Sequence, residues 1–160
     1  MGCDIHGYIE YKRWPTLDTP YCLFSGRLGD RDYSMFGLLA GVRQDGCMFE
    51  PRGIPKDISR TTLWEYGLFV SKEEGADGED RTCSVESANK WVARGDSVWL
   101  DKNLVSSPDW HTPSYVSTEE FEQVIQKRKE MEWGYSEEWD AILAAMKALP
   151  DARFVFWFDN

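Results

Sequence analysis

Near its end the chain reads Arg153-Phe-Val-Phe-Trp-Phe158, with no polar residue after the arginine. A strand with one wet face alternates apolar and polar residues, so an unbroken apolar run predicts a strand covered on both faces and therefore central in its sheet. At the other terminus, Ile5, Gly7, Ile9 and Tyr11 fall on one face of an alternating segment and His6, Tyr8, Glu10 and Lys12 on the other, the pattern of a half-buried strand. The first and last strands are expected to pair. The fold class that follows is α+β: a single domain over 1–160, with a small mixed or antiparallel sheet, adjacent N- and C-terminal strands, and several helices packed on it.

Helix signals support this layout. Asp32 can cap a helix carrying Met35, Phe36, Leu39 and Ala40 and ended by Gly41. Ser117 and Glu120 form an S-x-x-E capping box before Phe121, Val124, Ile125 and Arg128. Ser136 opens a third helix, with Trp139, Ile142, Leu143, Met146 and Leu149 on one face and Pro150 as its stop. Residues 14–30 read as loop with a short extended piece at 22–25. The Gly/Pro-rich stretch 42–60 is an irregular segment, and acidic 71–82 reads as a mobile surface loop. Ser84 is placed to cap a short helix through Trp91 and Val92, and Val98 to Val105 form another ordered stretch.

Composition narrows the function. With 18 Lys+Arg against 28 Asp+Glu the formal charge is −10, which repels nucleic acid phosphates and anionic membrane and excludes non-specific binding to either. No apolar run reaches the length of a spanning helix. Cys3, Cys22, Cys47 and Cys83 make no CxxC pair and read as reduced thiols of a cytosolic protein, and Cys3 has no evident activator as a nucleophile. Met1-Gly2-Cys3 resembles an acylation signal, but position 6 is His where Ser or Thr is required.

The charge is uneven. Residues 26–60 hold 6 basic and 5 acidic side chains, whereas 61–160 hold 10 and 20. Arginines beside glycines supply what a phosphate site needs, planar bidentate donors and closely approachable backbone, and Arg43 and Arg52 are the candidates. The two histidines, His6 and His111, sit near Asp4 and Asp109 in two D-x-H pairs and form the candidate catalytic set for acid–base work on a phosphodiester, with or without a divalent metal; no resident metal is expected. Neither fits the H-x-[ST] pattern of two-histidine phosphoesterases. Trp110 and Tyr115 flank His111 in a Pro-containing turn, where rings can stack on a base.

Five blocks, Met1-Gly-Cys-Asp-Ile-His6, Phe36 to Arg43, Glu50-Pro-Arg-Gly-Ile-Pro-Lys-Asp-Ile-Ser59, Asp109 to Phe121 and Val155-Phe-Trp-Phe-Asp-Asn160, together resemble a family of small tailed-bacteriophage proteins. In that family the histidine segment more often reads His-Ser-x-Ser-Trp; His111 and Ser114 match it, while Thr112 and Tyr115 are substitutions. The resemblance implies expression in the host bacterial cytoplasm and, by association, an accessory or counter-defence role.

Three functions are expected from these readings. In the first, an oligomeric module sequesters a small anionic, nucleotide-type signal: Arg43 and Arg52 hold phosphate, His6, His111 and Ser114 hydrogen-bond the ligand, and Trp110 or Tyr115 stacks on the base. In the second, a phosphodiesterase-type hydrolase cleaves such a nucleotide with His6 and His111. In the third, an acidic antagonist uses residues 117–140 to bind a host protein. The first two require the arginines and histidines to share one concavity.

Overall fold

The segment Arg153–Asp159 does lie inside a sheet with a neighbour on each side. The computed structural model describes residues 2–14, 16, 20–27, 31–59, 61–62, 69–71, 82–84, 86–87, 90, 99–100, 103–104, 111–131 and 133–159. Its elements run β1 (Asp4–Tyr11), β2 (Tyr21–Arg27), α1 (Tyr33–Ala40), β3 (Phe69–Ser71), β4 (Thr82–Ser84), β5 (Trp99–Leu100), β6 (Asn103–Leu104), β7 (His111–Ser117), α2 (Thr118–Lys129), α3 (Glu138–Lys147) and β8 (Arg153–Asp159). The main sheet has the order β2-β1-β8-β7 and every pairing in it is antiparallel. The terminal strands β1 and β8 are therefore adjacent, and the fold is α+β. β3 pairs with β4 and β5 with β6 as separate two-stranded units. Most of the expected 71–82 loop lies outside the described residues, with Ser71 and Thr82 in β3 and β4, and so do Trp91 and Val92 of the helix expected after Ser84.

Alternation along β8 sends Phe154, Phe156 and Phe158 to one face of the sheet, where they join Ile5, Ile9 and Val116 against Phe36 and Leu39 of α1, Phe121, Val124 and Ile125 of α2, and Trp139 and Met146 of α3. Each such ring or branched chain contributes roughly 1.5–3 kcal/mol by leaving water. Gly7 lies across from Phe156 in this face. Trp157 and Val155 point the other way.

That second face is covered too, which corrects the expectation of a half-buried β1. Tyr8 is 2% exposed and Glu10 0%. Tyr8 stacks on Trp157 with ring centroids 4.7 Å apart. The Glu10 carboxylate accepts from Arg153 Nε at 2.9 Å and Nη2 at 2.6 Å, from the Ser59 amide at 2.8 Å and from the Thr62 hydroxyl at 2.7 Å. A polar residue whose acceptors are all engaged can be buried, so the polar half of the alternation does not mark a wet face here.

The helix ends follow the sequence. Asp32 caps α1 by accepting from the Met35 amide, and Gly41 closes it in the left-handed region at φ 69°. Ser117 and Glu120 make the reciprocal capping box of α2. Ser136 opens α3 from one residue before the cap position: Glu137 makes no side-chain cap bond, and the Ser136 hydroxyl accepts from the Glu138 amide at 3.4 Å. Loss of the α2 cap in Ser117→Ala is expected to cost about 1 kcal/mol, read as a fall in Tm of about 2–4 °C for a chain of this size.

Candidate functional site

The register of β1 against β8 divides the polar residues into two groups. Asp4 and His6 sit where β1 begins and β8 ends, opposite Asp159 and Trp157, whereas Glu10 faces Arg153 at the other end. Four residues of strand separate His6 from Glu10, roughly 13 Å at the rise of an extended chain.

At the first end, His6 Nε2 lies 2.8 Å from Asp159 Oδ2, and its ring stacks over Trp157 at 5.6 Å. Asp4 takes a bidentate contact from Arg31, at 2.6 Å to Nε and 3.1 Å to Nη2. The tip of the half-exposed Arg31 side chain lies against Gly2, where a larger residue would only push it aside. Arg43, held in the left-handed region at φ 65°, reaches the Gly2 carbonyl at 3.4 Å. Burial pushes the pKa of the Cys3 thiol up, against the nearby Arg43, which is the wrong direction for a nucleophile.

His111 does not join them. It lies in a strand, not the expected turn, across from Phe158, and stacks on that ring at 5.9 Å with Nδ1 2.9 Å from Thr112 Oγ1. Phe158 and Trp157 point to opposite faces of the sheet, so the two imidazoles do as well. The cause is a bulge. From Ser114 to Ser117 the pairing with β8 is regular, but it slips between His111 and Ser114, where Thr112 has φ 51°. One extra residue reverses which face a strand position occupies. Without it His111 would lie opposite Asp159, on the face of His6.

The second end holds a cavity. Arg52, Tyr115, Ser117, Thr118, Glu119, Glu122, Met146, Lys147, Leu149, Asp151, Ala152 and Arg153 enclose an open space of about 560 Å³, within the range of small-molecule sites. The 50s segment is fastened to β7 to form its wall. The Arg52 amide donates to Ser114 Oγ at 3.0 Å, the Gly53 amide to the Pro113 carbonyl at 3.0 Å, and Arg52 Nη1 to the Tyr115 carbonyl at 3.2 Å. The Arg52 guanidinium grips Glu120 at 2.7 and 2.5 Å. It also lies 5.5 Å from the Tyr115 ring centroid, and Arg153 lies 5.6 Å from the same centroid. Tyr115 is therefore a platform for two guanidiniums rather than a bare ring.

The electrostatics of this wall are balanced: Arg52, Lys147 and Arg153 against Glu119, Glu122 and Asp151, in a chain of formal charge −10. Lys147 pairs with Glu122 at 2.5 Å. Arg153 holds Asp57 at 2.6 Å as well as Glu10, and Lys12 reaches Asp57 at 2.6 Å. Burial raises the Asp57 pKa, but the hydrogen bonds and charges of Lys12 and Arg153 outweigh it and hold the carboxyl below its ordinary value. Hydrogen bonding from Arg52 does the same for Glu120 against a smaller effect of burial. A carboxyl depressed on folding stabilises the native state above its unfolded pKa of about 4.5 and loses that contribution as pH falls through the folded value. Urea midpoints of the wild type and Arg52→Ala are thus expected to differ at pH 6 and to converge as pH falls through the depressed pKa of Glu120.

Of the expected site residues, the structure brings Arg52, Ser114 and Tyr115 together at this cavity and Asp4, His6 and Arg43 together at the far end. It does not join the two groups. Trp110 and Asp109 lie outside the described residues. Among the described residues no group of three or more His, Cys, Asp and Glu is placed to hold a metal ion, and no helix is long and apolar enough to cross a membrane. The cavity residues that sequence reasoning missed are Arg153 and Lys147. Arg153 carried a usable signal, since a charge heading a strand buried on both faces must find a partner. Compared with the profiles of known protein families, with curated proteins and with solved structures, the chain matches none.

Proposed function

We propose that the chain binds and sequesters a small phosphorylated, ribose-bearing ligand of the nucleotide type at the Arg52–Tyr115–Arg153 cavity. The observation that carries this reading is the presence of three cations and three carboxylates in the lining of one space of about 560 Å³. An anion alone gains little where every cation has a carboxylate partner. A nucleotide offers both complements: phosphate oxygens extend the acceptor set of Arg52 and Lys147, while ribose hydroxyls donate to carboxylates such as Glu119 and Asp151. The Arg52 guanidinium already has two rings against it, Tyr115 at 5.5 Å and Phe49 at 5.8 Å, so the reading rests on phosphate and ribose recognition and not on base stacking.

Sequestration is favoured over cleavage because, among the described residues, no histidine or cysteine lines this cavity, and His6 and His111 point to opposite faces at the far end of the sheet. Imitation of phosphate by the acidic helices is disfavoured by their pairing. Glu120, Glu122, Glu130 and Asp140 are each bound by a basic side chain, Arg52, Lys147, Lys127 and Lys129. The resemblance to tailed-phage proteins suggests the use: removal of a nucleotide signal of host immunity in the infected cytoplasm.

Calorimetry against a panel of cyclic and ADP-ribose-type nucleotides tests the proposal. Saturable heat is expected for at least one of them, with affinity lowered about tenfold or more by Lys147→Ala and unchanged by Arg43→Ala, and the ligand recovered intact on chromatography. Folded wild-type protein that gives no heat with any phosphorylated ligand would overturn it.

A further inference from the structure

Beside the cavity lies a second hollow of about 360 Å³, lined by Lys12, Pro20, Asp57, Asp151 and Arg153. Asp151 and Arg153 belong to both. Arg153 is a fixed wall: Nε and Nη2 bond Glu10, Nη1 bonds Asp57 Oδ1, and Nη2 bonds the Asp57 carbonyl. Four of the five guanidinium N–H directions are thereby committed. Asp151 is fixed by the turn between α3 and β8, where it takes φ 46°. The two residues, lining both hollows, mark the ridge where the two lobes meet. Each lobe then repeats one motif, a lysine beside a carboxylate: Lys147 with Glu122 in the larger, Lys12 with Asp57 in the smaller.

Resting on the proposed function, we infer that the ligand is two-ended: two ribose-bearing units, one in each lobe, with phosphate beside Lys147 in one and Lys12 in the other, and ribose hydroxyls donating to Asp151 where the lobes meet. A mononucleotide fills only one lobe and reaches only one lysine. Lys12 is then a specificity-determining residue for the second unit.

Titration of the full chain with AMP, ADP-ribose and cyclic di-AMP separates the possibilities. The wild type is expected to bind at least one two-ended probe about tenfold or more tightly than AMP. Lys12→Ala should bring that probe down to the affinity of AMP and leave AMP unchanged, whereas Lys147→Ala should weaken both. Lys12→Gln, with circular dichroism of each variant, guards against a folding defect. Equal affinity of wild type for AMP and both two-ended probes, or equal weakening of all probes by Lys12→Ala, would overturn the two-lobed ligand and leave the proposed function standing. Failure of every probe to bind would remove both.

Discussion

Asp32→Ala is expected to lower stability by about 4–6 kcal/mol. Asp32 and Arg128 have side chains only 2% exposed, and Arg128 Nε lies 2.9 and 3.0 Å from the two Asp32 oxygens, tying α2 to the start of α1 across 96 residues of sequence. The same carboxylate accepts from the Met35 amide at 3.0 Å as the cap of α1. Alanine removes the cap, worth about 1 kcal/mol, and leaves a guanidinium in the interior without its counter-charge, which typically costs about 3–5 kcal/mol. Arg128 also donates to the Trp133 carbonyl at 2.7 Å, so the turn into α3 loosens with it. The double change Asp32→Asn with Arg128→Met keeps a capping side chain and buries no charge, and should recover more than half of the loss in urea denaturation. A loss near 1 kcal/mol for Asp32→Ala would mean that Arg128 finds water, and the account of this pair would be wrong.

Glu10→Ala is the second large effect, about 3–5 kcal/mol. Its carboxylate is wholly buried and organises Arg153, Ser59 and Thr62 at once. Removing it leaves the Ser59 amide without its acceptor and Arg153 with Asp57 alone to face its charge. Two readouts should move together. Hydrogen exchange at the Ser59 amide should lose its protection, and nucleotide affinity should fall because the ridge at Arg153 is no longer fixed. Glu10→Gln keeps the shape and an acceptor for Ser59, and should cost about half as much. Protection of Ser59 retained in Glu10→Ala would contradict the role assigned to this carboxylate.

Much of the architecture was legible because local pattern and tertiary structure agree. The unbroken apolar run of β8, the Asp32 cap and the Ser117/Glu120 box each follow from neighbouring residues alone, and the pairing of the two terminal strands follows from that run needing a partner on each side. What was not legible depended on partners far along the chain. Burial of Glu10 requires Arg153, 143 residues away. The separation of His6 from His111 turns on one extra residue at Thr112-Pro113. The proline is the signal for that bulge, since a strand interior rarely accommodates one, but the direction in which His111 swings follows only from the register with β8. Arg52 bonds Ser114 and Tyr115 in β7, whereas Arg43 reaches Gly2 at the opposite end of the sheet.

The central claim is tested most directly by amide chemical shifts of ¹⁵N-labelled protein titrated in turn with each nucleotide of the cyclic and ADP-ribose-type panel. Saturable shifts are expected to cluster at Arg52, Tyr115, Ser117, Lys147 and Arg153, with Gly2 to His6 and Arg43 unmoved. Shifts confined to Asp4, His6 and Arg43, or none with any of them up to millimolar ligand, would contradict it.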